Sequence, residues 1–292
     1  MNRLLASLVF IVLTTNNAMA IDLTPLWDFS KPELSERRFR AALETAKGDD
    51  ALILHTQIAR THGLRKGFAK AQAVLTTIEP QVKTAGHEAR ARYALELGRT
   101  YASATHPRET QTDEAKTRAR TAFTEALAIA KSAKSGALDD LAIDAIHMFA
   151  FIDTAPADQL KWAQEALIVS VASNQPAARR WEGSIRNNLG MALHELGRFG
   201  EALAQFKQAL AIREQGTNAG QIRVAHWMVA WTLRAMNRIE ESLEIQLRLE
   251  KECAAANEPD PYVFEELEAL YRTKGNEERT NHYSALRKPA TK

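Results

Sequence analysis

Residues 181–214 read WEGSIRNNLGMALHELGRFGEALAQFKQALAIRE, and this stretch decides the fold. Its first part carries Leu189-Gly190 and Leu193 and leads into Leu196-Gly197-Arg198-Phe199, and its second part carries Ala202, Phe206 and Ala209. Spacings of four and three residues put the last three on one helical face. Small groups on that face let a second helix come close, while the phenylalanine fills the space between them. Gly197 stands where the first helix has to stop, because a residue without a side chain enters the left-handed backbone at little cost. The stretch is a pair of antiparallel helices joined by a tight turn.

Copies of the pair recur on both sides. Upstream, Leu97-Gly98-Arg99-Thr100-Tyr101 precedes Ala119, Phe123 and Ala126, and Ile58-Ala59 with His62 precedes Ala71, Leu75 and Ile78. Ile146-His147 and Ala150 precede Leu160, Trp162-Ala163 and Ala166-Leu167, in the least regular copy, where His147 replaces a small residue. Downstream, Val229-Ala230 and Leu233 run through Asn237-Arg238 to Ser242, Gln246 and Leu249, and Leu267 and Tyr271 precede a turn at Gly275 and a short last helix. Taken at positions 58, 97, 146, 189, 229 and 267, the copies are 39, 49, 43, 40 and 38 residues apart. A repeat of this length implies a solenoid, in which each unit buries its apolar face only against its neighbours.

The Leu-Gly-x-x-Tyr of 97–101 and the Ala, Phe, Ala series of 202–209 resemble the tetratricopeptide repeat. The spacing above the common period of about 34, together with Ala209-Leu-Ala-Ile-Arg-Glu214, resembles the long-helix branch seen in kinesin light chains. The resemblance covers residues 52–287 and implies an all-α, right-handed superhelical solenoid of about six antiparallel pairs. Residues 21–51 read as a capping segment: Ser30-Lys31-Pro32-Glu33 has the form of a capping box, Lys47-Gly48 that of a helix stop, and Trp27 and Phe29 are placed to cover the open end. Residues 288–292 are expected to be a disordered tail.

The first twenty residues do not share this pattern. Arg3, an almost wholly apolar run from Leu4 to Leu13 and Ala18-Met19-Ala20 follow the order of a secretory signal peptide cut after Ala20. Ten apolar residues are too few to cross a membrane core, which needs about twenty, and no second apolar segment follows. A periplasmic or secreted chain without stable membrane insertion is expected. Removing residues 1–20 takes away one base and no acid, so 37 basic groups face 36 acidic ones. Nucleic acid, which asks for a basic face, is not an expected partner. Cys253 is the single cysteine, which excludes an internal disulfide.

No catalytic or cofactor motif stands out. The eight histidines form no metal-binding spacing, and there is no phosphate-cradling glycine loop or nucleophile elbow. Asp140, Asp144 and His147 share a helix face, which reads either as a helix-start acid cluster beside a buried histidine or as a metal trio lacking further ligands. Neither an enzyme nor a cofactor is expected.

In tetratricopeptide arrays the first helix of each pair lines the concave groove. Carried onto this chain, that rule places Thr56 and Arg60 in the groove, then Arg92 and Arg99, then Asp144, Met148 and Phe151. Asn187, Met191 and His194 follow, then Trp227, Trp231 and Arg234. The set is cationic toward the N-terminal half and aromatic or methionine-rich toward the C-terminal half, which would suit a peptide with an acidic part and an apolar anchor. Both tryptophans can also be read as inter-repeat packing, and the arginines as solvated surface. A Lys/Asn carboxylate clamp is not supported, since Val224 and Met228 stand where cations would be needed. Residues 102–117 read as a surface insertion or as a flap over one end of the groove.

The expected function is an exported scaffold or adaptor that holds a protein or peptide in its groove. The alternative is a non-catalytic accessory subunit of an envelope enzyme or assembly machine, working through its convex face or its helix ends. Sequencing the N-terminus of the protein from its native host should give Ile21 first; a chain that still begins at Met1 removes the export expectation.

Overall fold

The computed structural model describes residues 21–287, so the proposed export segment and the tail 288–292 lie outside the described residues. Among them, all regular structure is helical. A lone helix α1 (Pro32–Leu43) is followed by α2 (Gly48–Leu64) with α3 (Phe68–Val82), α4 (His87–Arg99) with α5 (Asp113–Ser132), and α6 (Asp139–Phe149) with α7 (Pro156–Ala172). A single turn, α8 (Pro176–Arg179), precedes α9 (Glu182–Glu195) with α10 (Phe199–Arg213). The last pairs are α11 (Ala219–Ala235) with α12 (Ile239–Ala255) and α13 (Pro261–Thr273) with α14 (Glu277–Arg287). Each first helix packs on its own second helix and on the second helix before it, with α1 serving α2. That is the nearest-neighbour pattern of an α-solenoid.

Four of the six pairs share one turn. The middle residue of the connection, Lys66, Gly197, Asn237 or Gly275, has a φ of 59–73°. The next amide then reaches back five residues along the ending helix: Gly67 to the His62 carbonyl (2.8 Å), Arg198 to Leu193 (2.9 Å), Arg238 to Leu233 (2.9 Å) and Asn276 to Tyr271 (3.0 Å). These bonds satisfy carbonyls that a helix end would leave orphaned.

Inside the pairs, the small residue of the first helix meets the large residue of the second. A Cβ at Gly190 would lie 2.6 Å from Cε1 of Phe206, and one at Gly98 would overlap the Phe123 ring. Both phenylalanines are fully buried. The α11–α12 pair carries a weaker version. Ala230 takes the glycine's place, its carbonyl accepting from Ser242 Oγ at 2.7 Å. Gln246 takes the place of the phenylalanine. It is fully buried, and neither atom of its amide has a hydrogen-bond partner among the described residues.

Three sequence expectations are corrected. Ser30 does not cap α1: its hydroxyl donates to Asp28 Oδ1 at 2.6 Å, and Lys31 stands at the N-cap with no side-chain bond. The helix ends at Leu43, before Lys47-Gly48, and Gly48 opens α2 with a φ of 56° instead of closing α1. The insertion is also shorter than 102–117, since Thr112 caps α5 by accepting from the Ala115 amide at 3.2 Å. Its His106 ring stacks on Phe68, with centroids 3.7 Å apart, and Thr105 donates to the Gly63 carbonyl at 3.3 Å. The loop is thus folded back onto the turn of the preceding pair. The extra length before α9 is taken up by α8, whose Ala178 carbonyl accepts from the buried hydroxyl of Ser170 at 2.9 Å.

Mutations at the two equivalent positions should act in opposite directions. Phe206→Ala opens the Gly190 contact and should cost roughly 3–5 kcal/mol, whereas Gln246→Leu removes two unpaired polar atoms and should stabilise by about 1–3 kcal/mol. Denaturant midpoints of the two variants against the parent measure both.

Candidate functional site: the face of the first helices

Adjacent first helices are linked side chain to side chain along the solenoid. At the N-terminal end the link is ionic. Arg99 of α4 pairs with Glu96 and with Asp144 of α6, at 2.5 Å each. Arg60 of α2 lies 3.6 Å from Glu96 and 3.8 Å from Asp144. The Glu96 side chain is 2% exposed and that of Asp144 10%. Burial alone would raise the Asp144 carboxyl, but Arg99 and then Arg60 outweigh it and hold it below the usual carboxylate range. Burial, reinforced by the like charge of Arg99, lowers the Arg60 guanidinium. Two atoms at this junction, Arg60 Nε and Glu96 Oε2, have no hydrogen-bond partner among the described residues.

Two cavities open on this junction. One of about 220 Å³ is bounded by the ionic residues, by Ser103, Ala104 and Thr105 of the insertion, and by Met148, Phe151 and Trp181. The other, about 520 Å³, is lined by Arg92, Asp140 and Arg180 together with Trp27 and Phe29. Trp27 and Phe29 stack 4.4 Å apart, with the Arg60 guanidinium 5.7 and 5.5 Å from their ring centres.

Toward the C-terminal end the link is aromatic. His194 of α9 stacks on Trp231 of α11, with centroids 3.4 Å apart, Trp231 stacks on Trp227 at 5.7 Å, and Trp227 meets Tyr262 of α13 edge-on at 6.3 Å. Both tryptophans are half-buried. Arg234 forms a two-pronged pair with Glu266 of α13, 2.7 Å on each prong. Three polar atoms along this strip, Asn187 Oδ1, His194 Nε2 and Trp227 Nε1, are buried without partners among the described residues. Beside it, Val224, Trp227, Met228, Asp260 and Tyr262 bound a cavity of about 260 Å³.

Most of the residues expected in the groove are brought together here, with corrections. Thr56 is fully buried, donating to the Ile53 carbonyl at 2.6 Å, and does not face the groove. Met148 belongs to the core between α5 and α6 and only floors the smaller cavity. The N-terminal half is not cationic. Arg60 and Arg99 are matched by Glu96 and Asp144, and Arg92 is held by Glu88 at 2.8 Å. An acidic segment in the partner is therefore unsupported by free positive charge at these arginines. Asp144 is a partner of Arg99 and His147 packs between Phe151 and Trp181, so these two of the trio are taken up in an ion pair and in packing, while Asp140 lines the larger cavity. Arg60, Arg99, Asn187, Met191, His194, Trp227, Trp231 and Arg234 remain half-buried on the strip. Sequence reading missed Glu96, Trp181, Tyr262 and Glu266; Glu96 lies four residues after Arg92 and three before Arg99 on one helix, a spacing that could have found it, and the other three carried no such signal.

His194 reports the environment. Burial, with the nearby charge of Arg234 second, lowers its imidazole to about 4. The unfolded chain, with an ordinary histidine near 6.5, therefore binds more protons between pH 6.5 and 4, and this group's contribution to stability falls as pH falls through that window. His194→Phe keeps the stack on Trp231 and should flatten that part of the stability-versus-pH curve; an unchanged slope from pH 6.5 to 4 relative to the parent would contradict the burial.

Residues 178–249 match the family model described as tetratricopeptide repeat. No curated protein matches the sequence. Among solved structures, the chain is similar to PilW, described as a widely conserved type IV pilus biogenesis factor (16% identity, TM-score 0.56, covering 80% of this chain and 90% of that one). It is also similar to aspartyl phosphate phosphatase F from Bacillus subtilis (17%, 0.57, covering 90% and 68%). A third similar structure is a signal transduction ATPase with a tetratricopeptide repeat sensor from Pyrococcus horikoshii (13%, 0.65), of which this chain spans 38% while 88% of this chain is covered. At these identities the likeness is one of fold. The chain is an α-solenoid of tetratricopeptide-type helix pairs, carrying the recognised repeat at residues 178–249.

Proposed function

We propose that this protein is an exported, non-catalytic scaffold that holds an extended segment of a partner protein along its first-helix face. The observation that carries the proposal is the C-terminal strip. Asn187 Oδ1, His194 Nε2 and Trp227 Nε1 lie there unpartnered beside the half-buried indoles of Trp227 and Trp231. Buried polar atoms cost free energy unless paired. An extended backbone offers a donor and an acceptor at every residue, which suits a row of isolated polar atoms set between apolar ones. Tryptophan is the residue type that most often dominates such contacts.

The chemistry of the strip selects an apolar or aromatic segment over an acidic one, since Arg60, Arg92, Arg99 and Arg234 are all in ion pairs. Export is supported by the composition of residues 1–20. Membership of the long-helix branch is supported by repeats 38–49 residues apart and by the 17-residue helices α11 and α12. The fold likeness to a pilus biogenesis factor is compatible with work in an envelope assembly but does not name one.

A photo-crosslinking residue placed at Met191 should capture a protein in the native envelope, while one at Ile168, 70% exposed on α7, should not. With the captured segment as ligand, Trp231→Ala should weaken binding by about 2 kcal/mol, or some thirtyfold, with a smaller effect on the melting temperature. Crosslinking confined to Ile168 would move the function to the other face.

A further inference from the structure

Processing at Ala20–Ile21 would change the chemistry of one atom that the fold already holds. Hydrolysis of that amide by an export peptidase consumes one water: Ala20 leaves as a carboxylate, and Ile21 keeps its nitrogen as a primary amine. An ordinary α-amine, with a pKa of about 7.7–8.0, is protonated at neutral pH. The Ile21 nitrogen lies 3.2 Å from Oδ1 of Asp50, in the first turn of α2 and 29 residues away in sequence. We propose that export processing converts this contact into an ion pair, Ile21 α-ammonium to Asp50 carboxylate, which fastens the N-terminal segment and completes one wall of the groove. The inference rests on the export reading above.

The surroundings show a segment built to be held. Ile21, Leu23, Leu26 and Trp27 lie against the buried Phe39, Leu54 and Ile58. The Trp27 indole donates to Gln57 Oε1 at 3.1 Å. Leu23, Thr24, Trp27 and Phe29 then line the 520 Å³ cavity together with Arg92 and Arg180. Wherever residues 21–29 sit, that end of the groove takes its shape from them. Before processing, Ile21 offers Asp50 one neutral N–H; afterwards it offers a full charge and three donors, so a hydrogen bond charged on the acceptor side alone becomes one charged on both sides. The adjacent Asp49 provides the comparison. It accepts from the Gly86 amide at 2.9 Å, a bond whose donor stays a neutral amide whatever happens at residue 21.

The test is a thermodynamic cycle on two forms of residues 21–292 released from a cleavable fusion. One begins at Ile21, and the other carries Gly-Ser-Gly in front of it. Asp50→Asn should lower the melting temperature by about 2–4 °C more in the chain that begins at Ile21 than in the extended one. The difference should shrink only in part in 1 M salt, because the pair is half-buried and such pairs are screened less than exposed ones. Asp49→Asn should cost the same in both forms. Equal losses for Asp50→Asn overturn the ion pair even where the native chain begins at Ile21. A native N-terminus at any other residue takes the new ammonium away from Asp50 and overturns the inference; only a chain that still begins at Met1 removes the export reading as well.

Discussion

The contact on which the solenoid depends is the absence of a side chain at Gly98 and Gly190. A phenylalanine ring from the second helix occupies the space where a Cβ would stand, and it does so fully buried. Close approach on that side fixes how each first helix is rotated about its axis. Its opposite side then turns toward the first helices of neighbouring pairs, and the groove is what those sides present. Where the lock is relaxed to Ala230 with Gln246, the pair keeps its place but buries an amide with nothing to bind. Large-to-small and apolar-to-polar changes at this one contact would therefore be felt along the array, since each unit has only its neighbours to lean on.

A second constraint runs across the pairs. Arg60, Glu96, Arg99 and Asp144 come from three successive first helices, and their charges sum to zero. Desolvating four charged groups is costly, and hydrophobic residues of similar volume often serve stability as well or better. What such a cluster supplies is register: Arg99 can meet Glu96 and Asp144 together only when α4 and α6 stand at one relative height. The Arg234–Glu266 pair ties α11 to α13 in the same manner.

The helix pairs were legible because their signal is local. Three- and four-residue spacings, and the residues Gly197, Asn237 and Gly275 at the turns, lie within one unit of the chain. Lys66 adopts the same left-handed backbone with no residue-type signal, so that turn was readable only by analogy with its neighbours. The groove's electrostatics were legible only in part: Glu88 and Glu96 lie four and three residues from Arg92 and Arg99, but the other pairings join residues far apart in sequence. Arg99 and Asp144 are separated by 45 positions and Arg234 and Glu266 by 32, and a list of groove arginines without their carboxylates suggests a cationic surface that does not exist. The misplaced cap has a similar origin. Ser30 sits in a good capping sequence, but Asp28, two residues before it, takes its hydroxyl first.

The distribution of tryptophan has an optical consequence. Of the five in the chain, Trp162 is stacked on Phe149 with centroids 4.3 Å apart, in the packing between α6 and α7. The other four lie along one surface: Trp27 and Trp181 bound the two N-terminal cavities, and Trp227 and Trp231 form the C-terminal stack. Indole emission shifts with the polarity around the ring, and stacked indoles couple in circular dichroism. The intrinsic near-ultraviolet spectrum of this protein is thus mostly a spectrum of its groove, and occupancy of that surface can be followed without attaching a dye.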